Sequence, residues 1–294
     1  MESEFFLLFL FVLFVIGAIA IHVISRKKER PAKINAWKKF FVYFLIINSI
    51  FLCIIYVPIL FKIVCFLVAL GGAVEILRLQ LISVHGGFDA TGASTSSATI
   101  ATAMVGHQGT VVEPVETPVA LKWSKFALYF TTYIAIATLF CFFAFAPKEI
   151  QILTVFAVCT FDAFSQLSGQ LFGKRKITPT ISPNKTLGGL VGGATMALIL
   201  GIIANVILAR GCLDYARHDG LLFARHDGLL VAIILIIFVI AASFIGDLAA
   251  SYIKRQYAVK DYSALLPGHG GILDRFDSLI VAGAVMVLLK FYWL

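Results

Sequence analysis

Three aspartates, Asp247, Asp274 and Asp277, stand at the ends of long apolar runs, where a charged side chain is costly unless something compensates it. Asp247, Ser251 and Lys254 or Arg255 recur at helical spacing, so they share one face of the helix that leaves the first run. Asp274 and Asp277 are three apart at the start of the next run. If the two helices are neighbours, the three carboxylates meet. Carboxylates crowded in a poorly solvated place must be protonated or neutralised, and a divalent cation is the usual partner. Lys185, Lys254, Arg255, Lys260 and Arg275 supply positive charge around them. Carboxylates, a metal and a basic rim suit a phosphate-bearing substrate. The loop Pro267-Gly-His-Gly-Gly271 gives a backbone that can approach a ligand closely. A plainer reading makes Asp274 a helix cap and the bases ordinary cytoplasmic loop charge. It explains each residue alone better than it explains the set.

The elements that must position these residues are apolar helices. The chain has 294 residues, of which 60% are hydrophobic and 14% charged, and its mean hydropathy is +0.96. A soluble domain carries about 25% charged residues, so the composition is that of an integral membrane protein. The net charge of +8 reflects basic cytoplasmic loops and implies no nucleic-acid partner. The expected fold class is all-α and polytopic, with about eight membrane-spanning helices, nine at most. The expected spans are 5–24, 40–57, 59–80, 126–146, 150–172, 187–208, 229–250 and 276–294, each near the ~20 residues a bilayer needs. Pro58 divides the second from the third. Most of the 24 Lys and Arg fall in the loops at 26–39, 78–125, 173–186 and 251–275. That bias puts both termini outside and both polar motifs on the cytoplasmic face. Residues 1–125 form three helices and a polar cytoplasmic loop; residues 126–294 form the catalytic membrane region. Residues 82–121, rich in Gly, Ser, Thr and Ala, keep no period and read as loop. The scattered Cys53, Cys65, Cys141, Cys159 and Cys212 have no CxxC spacing and read as small hydrophobes.

Several further features need placing. Asp162, Ser165 and Gly169 fall at i, i+3 and i+7, a polar stripe within the fifth apolar run. A helix-packing hydrogen bond covers the Ser and Gln residues of this run well, and Asp162 poorly. Gly188, Gly189, Gly192 and Gly193 give small-xxx-small spacings, read first as close helix packing and second as a phosphate cradle. Such glycine-rich faces also hint at a homodimer. Glu75 and Arg78, three apart, could pair on one helix face. The repeat ARHDGLL at 216–222 and 224–230 is too short for a solenoid and lies in an outer loop. No motif partner supports reading its HDG as a metal site.

The stretch Ser251–Asp277 closely resembles the signature of the phosphatidate cytidylyltransferases, with about fifteen specified positions: S-x-x-K-R-x-x-x-x-K-D-x-S-x-x-L-P-G-H-G-G-I-L-D-R-F-D. SPNKT at 182–186 is similar to a second motif of that family, and Asp162, Gly169 and Gly173 fit the stretch before it. The resemblance runs over about 160–294. Two positions depart from it: Leu187-Gly188 stands where Trp-Glu is common, and Gln170 where a base is common. The resemblance implies an Mg²⁺-dependent enzyme, with two metal sites, making CDP-diacylglycerol and pyrophosphate from CTP and phosphatidate. It implies that Asp247 and Asp274 are metal ligands, with Asp277 and Asp261 as ligands or their supports. Lys185, Lys260 and Arg275 would hold phosphates. Ser182, Asn184, His269, Gly270 and Gly271 would shape the nucleotide pocket, with Lys254, Arg255 and Asp162 beside it. It further implies a membrane location, that of a bacterial inner membrane, with the site facing the cytoplasm and membrane lipid around it. A CTP-dependent lipid kinase, such as a polyprenol kinase, is the neighbouring alternative, disfavoured by the closeness of the 251–277 match. A secondary transporter is the alternative from another class; it predicts an internal repeat between halves and charge at the midplane, whereas the charge here gathers at one face.

Overall fold

The computed structural model describes residues 2–26, 30–92, 123–219, 228–263 and 270–293. Among them are eight helices: α1 (Glu2–Ser25), α2 (Arg30–Tyr56), α3 (Pro58–Gly92), α4 (Trp123–Phe143), α5 (Lys148–Phe172), α6 (Leu187–Asp219), α7 (Gly228–Gln256) and α8 (Leu273–Trp293). Five of these contain stretches long and apolar enough to cross a membrane: Pro58–Ser83, Trp123–Phe143, Lys148–Phe172, Leu187–Leu208 and Leu229–Gln256. α1 and α2 carry shorter apolar stretches, Glu4–Ile19 and Phe40–Tyr56. α8 has Asp274, Arg275, Asp277 and Lys290 among its 21 residues. The chain is a helical membrane protein.

Several boundaries differ from the sequence expectation. α2 begins at Arg30, inside the loop expected at 26–39, and not near residue 40. α3 does not stop near residue 80 but stays helical to Gly92, because extending a helix costs far less than nucleating one, even through Gly and Ser. α6 likewise runs past Leu208 to Asp219, through the first ARHD and into the segment read as an outer loop. The expected loop at 173–186 is instead an antiparallel hairpin of β1 (Lys176–Thr178) and β2 (Ser182–Thr186), with Lys176 opposite Thr186 and Thr178 opposite Ser182. Pro183 is tolerated because a two-stranded ribbon leaves each strand an open edge. The rest of the expected loop at 82–121, residues 224–227 of the second repeat copy and His269 lie outside the described residues.

The core is aromatic and small-residue packing between helices. Phe6, Phe51, Phe140, Phe143 and Phe156 are fully buried, with Phe6 edge-on to both Phe51 and Phe156. α5 and α6 approach most closely. A Cβ on Gly189 would lie 2.7 Å from the Ser165 carbonyl oxygen, on Gly192 2.3 Å from Ser168 Oγ, and on Gly193 2.7 Å from Ser165 Cβ. The glycine face is therefore occupied inside the chain by the serine stripe, the close-packing role expected of it. α7 crosses α8 the same way at Gly246, whose Cβ would meet the Asp277 carbonyl at 2.9 Å. That crossing makes Asp247 and Asp277 neighbours.

Candidate functional site

The hairpin ends in a cap. The Thr186 hydroxyl oxygen accepts a hydrogen bond from Gly189 N at 3.1 Å, as an N-terminal capping residue does, and Leu187 N donates to Arg175 O at 2.8 Å. Strand alternation turns Lys185 away from Thr186 and Asn184. Lys185 points to α7, where its Nζ lies 2.8 Å from Asp247 Oδ2 and 4.8 Å from the centre of the Phe244 ring. The ammonium is buried, yet no acceptor among the described residues meets it at hydrogen-bonding angles. Its three N–H donors are thus aimed into the site without a proper acceptor.

α7 ends in a tight turn. Val259 N donates back to Lys254 O at 3.0 Å, and Ala258 takes a left-handed conformation with φ 53°, the position where helix ends usually place glycine. The turn sends the chain to Tyr262, whose buried hydroxyl donates to Ala250 O at 2.9 Å; burial pushes that hydroxyl's pKa up, so it stays a donor. Lys254, meanwhile, faces Asp274. Its Nζ donates to Oδ1 at 2.7 Å, while Oδ2 accepts from Tyr262 N and Gly271 N, each at 2.8 Å. Both carboxylate oxygens of Asp274 are engaged. Gly270 makes this possible: its φ is +84°, and a Cβ there would lie 2.9 Å from Asp274 Oδ2.

Asp162, Asp247 and Asp277 complete the cluster. Asp162 feels the charge of Asp277, Asp247 and Lys185, and Asp277 that of Asp247, Lys254 and Lys185. Asp162 is exposed on α5. The structure thus brings together Asp162, Lys185, Asp247, Lys254, Asp274 and Asp277. Ser182 is half-buried and Asn184 exposed on β2 beside them.

Other expected site residues have different neighbours. Arg255 donates to Ile181 O at 3.2 Å and Val259 O at 3.1 Å, tying the hairpin turn to the end of α7. Arg275 donates to the Tyr43 hydroxyl and lies 5.6 Å from that ring's centre, bridging to α2. Lys260 and Asp261 are exposed on the turn, and neither joins an ion pair among the described residues. Sequence reasoning missed Gln80 and misplaced Glu75. Arg78 is exposed, and Glu75 turns from it to accept three hydrogen bonds from Ser263, Ile272 and Leu273. The signal was available: a glutamate and a glutamine five residues apart in an apolar run are expensive there.

Among the described residues, no three His, Cys, Asp or Glu side chains are gathered closely enough to hold a metal ion. The donor chemistry nevertheless fits one. Carboxylate oxygens are the ligands hard divalent cations take, and Asp247 and Asp274 each already carry a cationic partner, Lys185 or Lys254, at 2.8 and 2.7 Å. The site's carboxylates outnumber its two lysines, so the arrangement suits phosphates only with a cation bound to offset that charge.

Comparison with known proteins agrees with this chemistry. Residues 37–293 match the model of the cytidylyltransferase family, a reach well beyond the 160–294 of the motif resemblance. A phosphatidate cytidylyltransferase of Haemophilus influenzae is 39% identical over 121 residues, 41% of this chain and 38% of that protein. One of Brucella abortus is 37% identical over 139 residues, 47% of this chain and 45% of the relative. One of Staphylococcus haemolyticus is 34% identical over 160 residues, 53% of this chain and 55% of the relative. The chain therefore spans about two-fifths to just over half the length of these curated relatives.

Proposed function

The chain belongs to the cytidylyltransferase family, and from that premise we propose that it transfers the cytidylyl group of CTP to phosphatidate, giving CDP-diacylglycerol and pyrophosphate for phospholipid synthesis. The names of its relatives supply the substrate pair. The observation that carries the reading in this chain is the buried Lys185 ammonium, its donors unsatisfied, set beside a carboxylate cluster. A buried ammonium has three N–H donors, and with one carboxylate beside it there is capacity left for an anion such as a phosphate oxygen.

In this reading a phosphate oxygen of phosphatidate attacks the α-phosphorus of CTP. A new P–O bond forms there as the bond to the bridging oxygen breaks, and pyrophosphate leaves in line with that electron pair. The attacking phosphate is already ionised near neutral pH, so the chain need not provide a base. Lys185 holds a phosphate from the hairpin side; Lys260 and Arg275 reach phosphates from the opposite rim. Ser182, Asn184, His269 and the Gly270-Gly271 backbone border the nucleotide. Asp247, Asp274 and Asp277, with Asp261 and Asp162 in support, are the oxygen donors proposed for Mg²⁺ at two sites. Bound there, Mg²⁺ would supply positive charge to the reacting phosphates. The basic loops favour a cytoplasmic site, in a bacterial inner membrane, with CTP arriving from the aqueous side and phosphatidate from the lipid.

Purified protein in detergent, given α-³²P-CTP, short-chain phosphatidate and Mg²⁺, should yield a labelled lipid. EDTA or omission of phosphatidate should abolish it. Lipid labelled instead by γ-³²P-CTP and a lipid alcohol would replace this reading with a kinase.

A further inference from the structure

Glu75 is a buried carboxylate that the reaction does not use. It is 5% exposed on α3, within a stretch apolar enough to span a membrane. Its Oε1 accepts from Ser263 Oγ at 2.7 Å and Ile272 N at 2.9 Å, and its Oε2 accepts from Leu273 N at 2.8 Å. The two backbone donors belong to the start of α8, where N–H groups have no partner within the helix and the helix dipole favours a negative charge. Gly271 lets the carboxylate in: a Cβ there would lie 2.4 Å from Oε1. Five residues further along α3, Gln80 is 1% exposed and its Oε1 accepts from the Tyr257 hydroxyl at 2.9 Å. α3 therefore grips both ends of the segment that turns from α7 into α8.

We propose that Glu75 is a positioning residue for the transfer reaction, fixing the first turn of α8 and so the placement of Asp274 and Asp277 against Lys254 and Asp247. This rests on the reaction assigned above. Asp274 follows Leu273 directly, and Asp277 is less than one helical turn beyond it, so a shift of that turn moves both carboxylates together. The latch needs two acceptor oxygens for its three donors. Glutamine keeps the size but replaces one oxygen with an NH₂ group, which sets donor against donor.

The test uses the full chain. In the wild type, hydrogen exchange at the Ile272 and Leu273 amides should be far slower than in the Lys260–Asp261 turn. Glu75→Gln should speed it by about tenfold or more, with α4 amides unchanged. The same variant should lower kcat about tenfold or more and raise the Mg²⁺ needed for half-maximal rate, with KM for phosphatidate within about threefold. Ser263→Ala, which keeps both backbone contacts, should lower kcat by about threefold at most. If Glu75→Gln does not fold, Glu75→Asp, which keeps the charge but draws both oxygens back by one methylene, is read in its place with the same expectations. Fast wild-type exchange at Ile272 and Leu273 overturns the latch. Faster exchange in the variant with unchanged kcat and Mg²⁺ response overturns the positioning role. No labelled lipid from the wild type overturns the reaction reading, and the role in turnover with it, whatever the exchange shows.

Discussion

Lys185 meets Asp247 at 2.8 Å and Lys254 meets Asp274 at 2.7 Å, but the two pairs sit in opposite surroundings. Asp274 is 4% exposed and has both oxygens engaged by an ammonium and two backbone N–H groups. Asp247 is 40% exposed and, among the described residues, has besides its lysine a long 3.5 Å contact from Ser251 Oγ. One pair is closed, so Asp274 would have to exchange one of these partners to take the metal ion proposed for it; the other is already open to a ligand. The contrast separates a carboxylate that must be released from one that is ready. Interaction length alone would have ranked them equal.

The sharpest way to break the contrast is Asp274→Asn. It leaves Lys254 buried without its counter-charge, so a loss of about 3–5 kcal/mol of stability is expected along with loss of turnover. Turnover and thermal midpoint in detergent, measured together, check it; a folded, fully active variant would show that the closed pair is dispensable. Asp247→Asn should separate the two readouts. Turnover should fall about 10²-fold or more, with a smaller loss of midpoint than at Asp274, because Asp247 is 40% exposed although its removal leaves the Lys185 ammonium buried without a counter-charge. Equal stability losses in the two variants would erase the distinction. Between the helices, Gly193→Val should cost about 1–3 kcal/mol through overpacking against Ser165, read as a lower midpoint with both pairs intact. The smallest effect is expected at the turn that feeds the closed pair. Ala258→Gly relieves a left-handed alanine and should raise the midpoint by the equivalent of about 1 kcal/mol.

Much of the site was legible in the sequence. Asp247, Asp274, Asp277 and Lys254 stand out because charge at the end of an apolar run needs a reason, and helical spacing puts them on facing surfaces. Lys185 came from its motif, and its placement required a hairpin that no helical period announces. Glu75 was read with Arg78 because helix-surface spacing finds partners within one helix; its true partners are 188 to 198 residues away. Tyr43 was invisible for the same reason, since Arg275 reaches it from 232 residues on. The spans of α4, α5 and α7 followed from hydropathy, whereas the extensions of α3 and α6 did not, because helix propagation tolerates residues that a period search treats as loop.

The distance in sequence between Glu75 and its donors also sets an order of events as the protein is made. Ile272 lies 197 residues after Glu75, so at ~5–20 residues added per second the carboxylate is synthesised about 10–40 s before its cap exists. α3 must wait through that interval with an unanswered charge, until Ser263, Ile272 and Leu273 have all been added. A copy truncated before Ser263 would leave Glu75 without these three donors, a polar group stranded in an apolar helix.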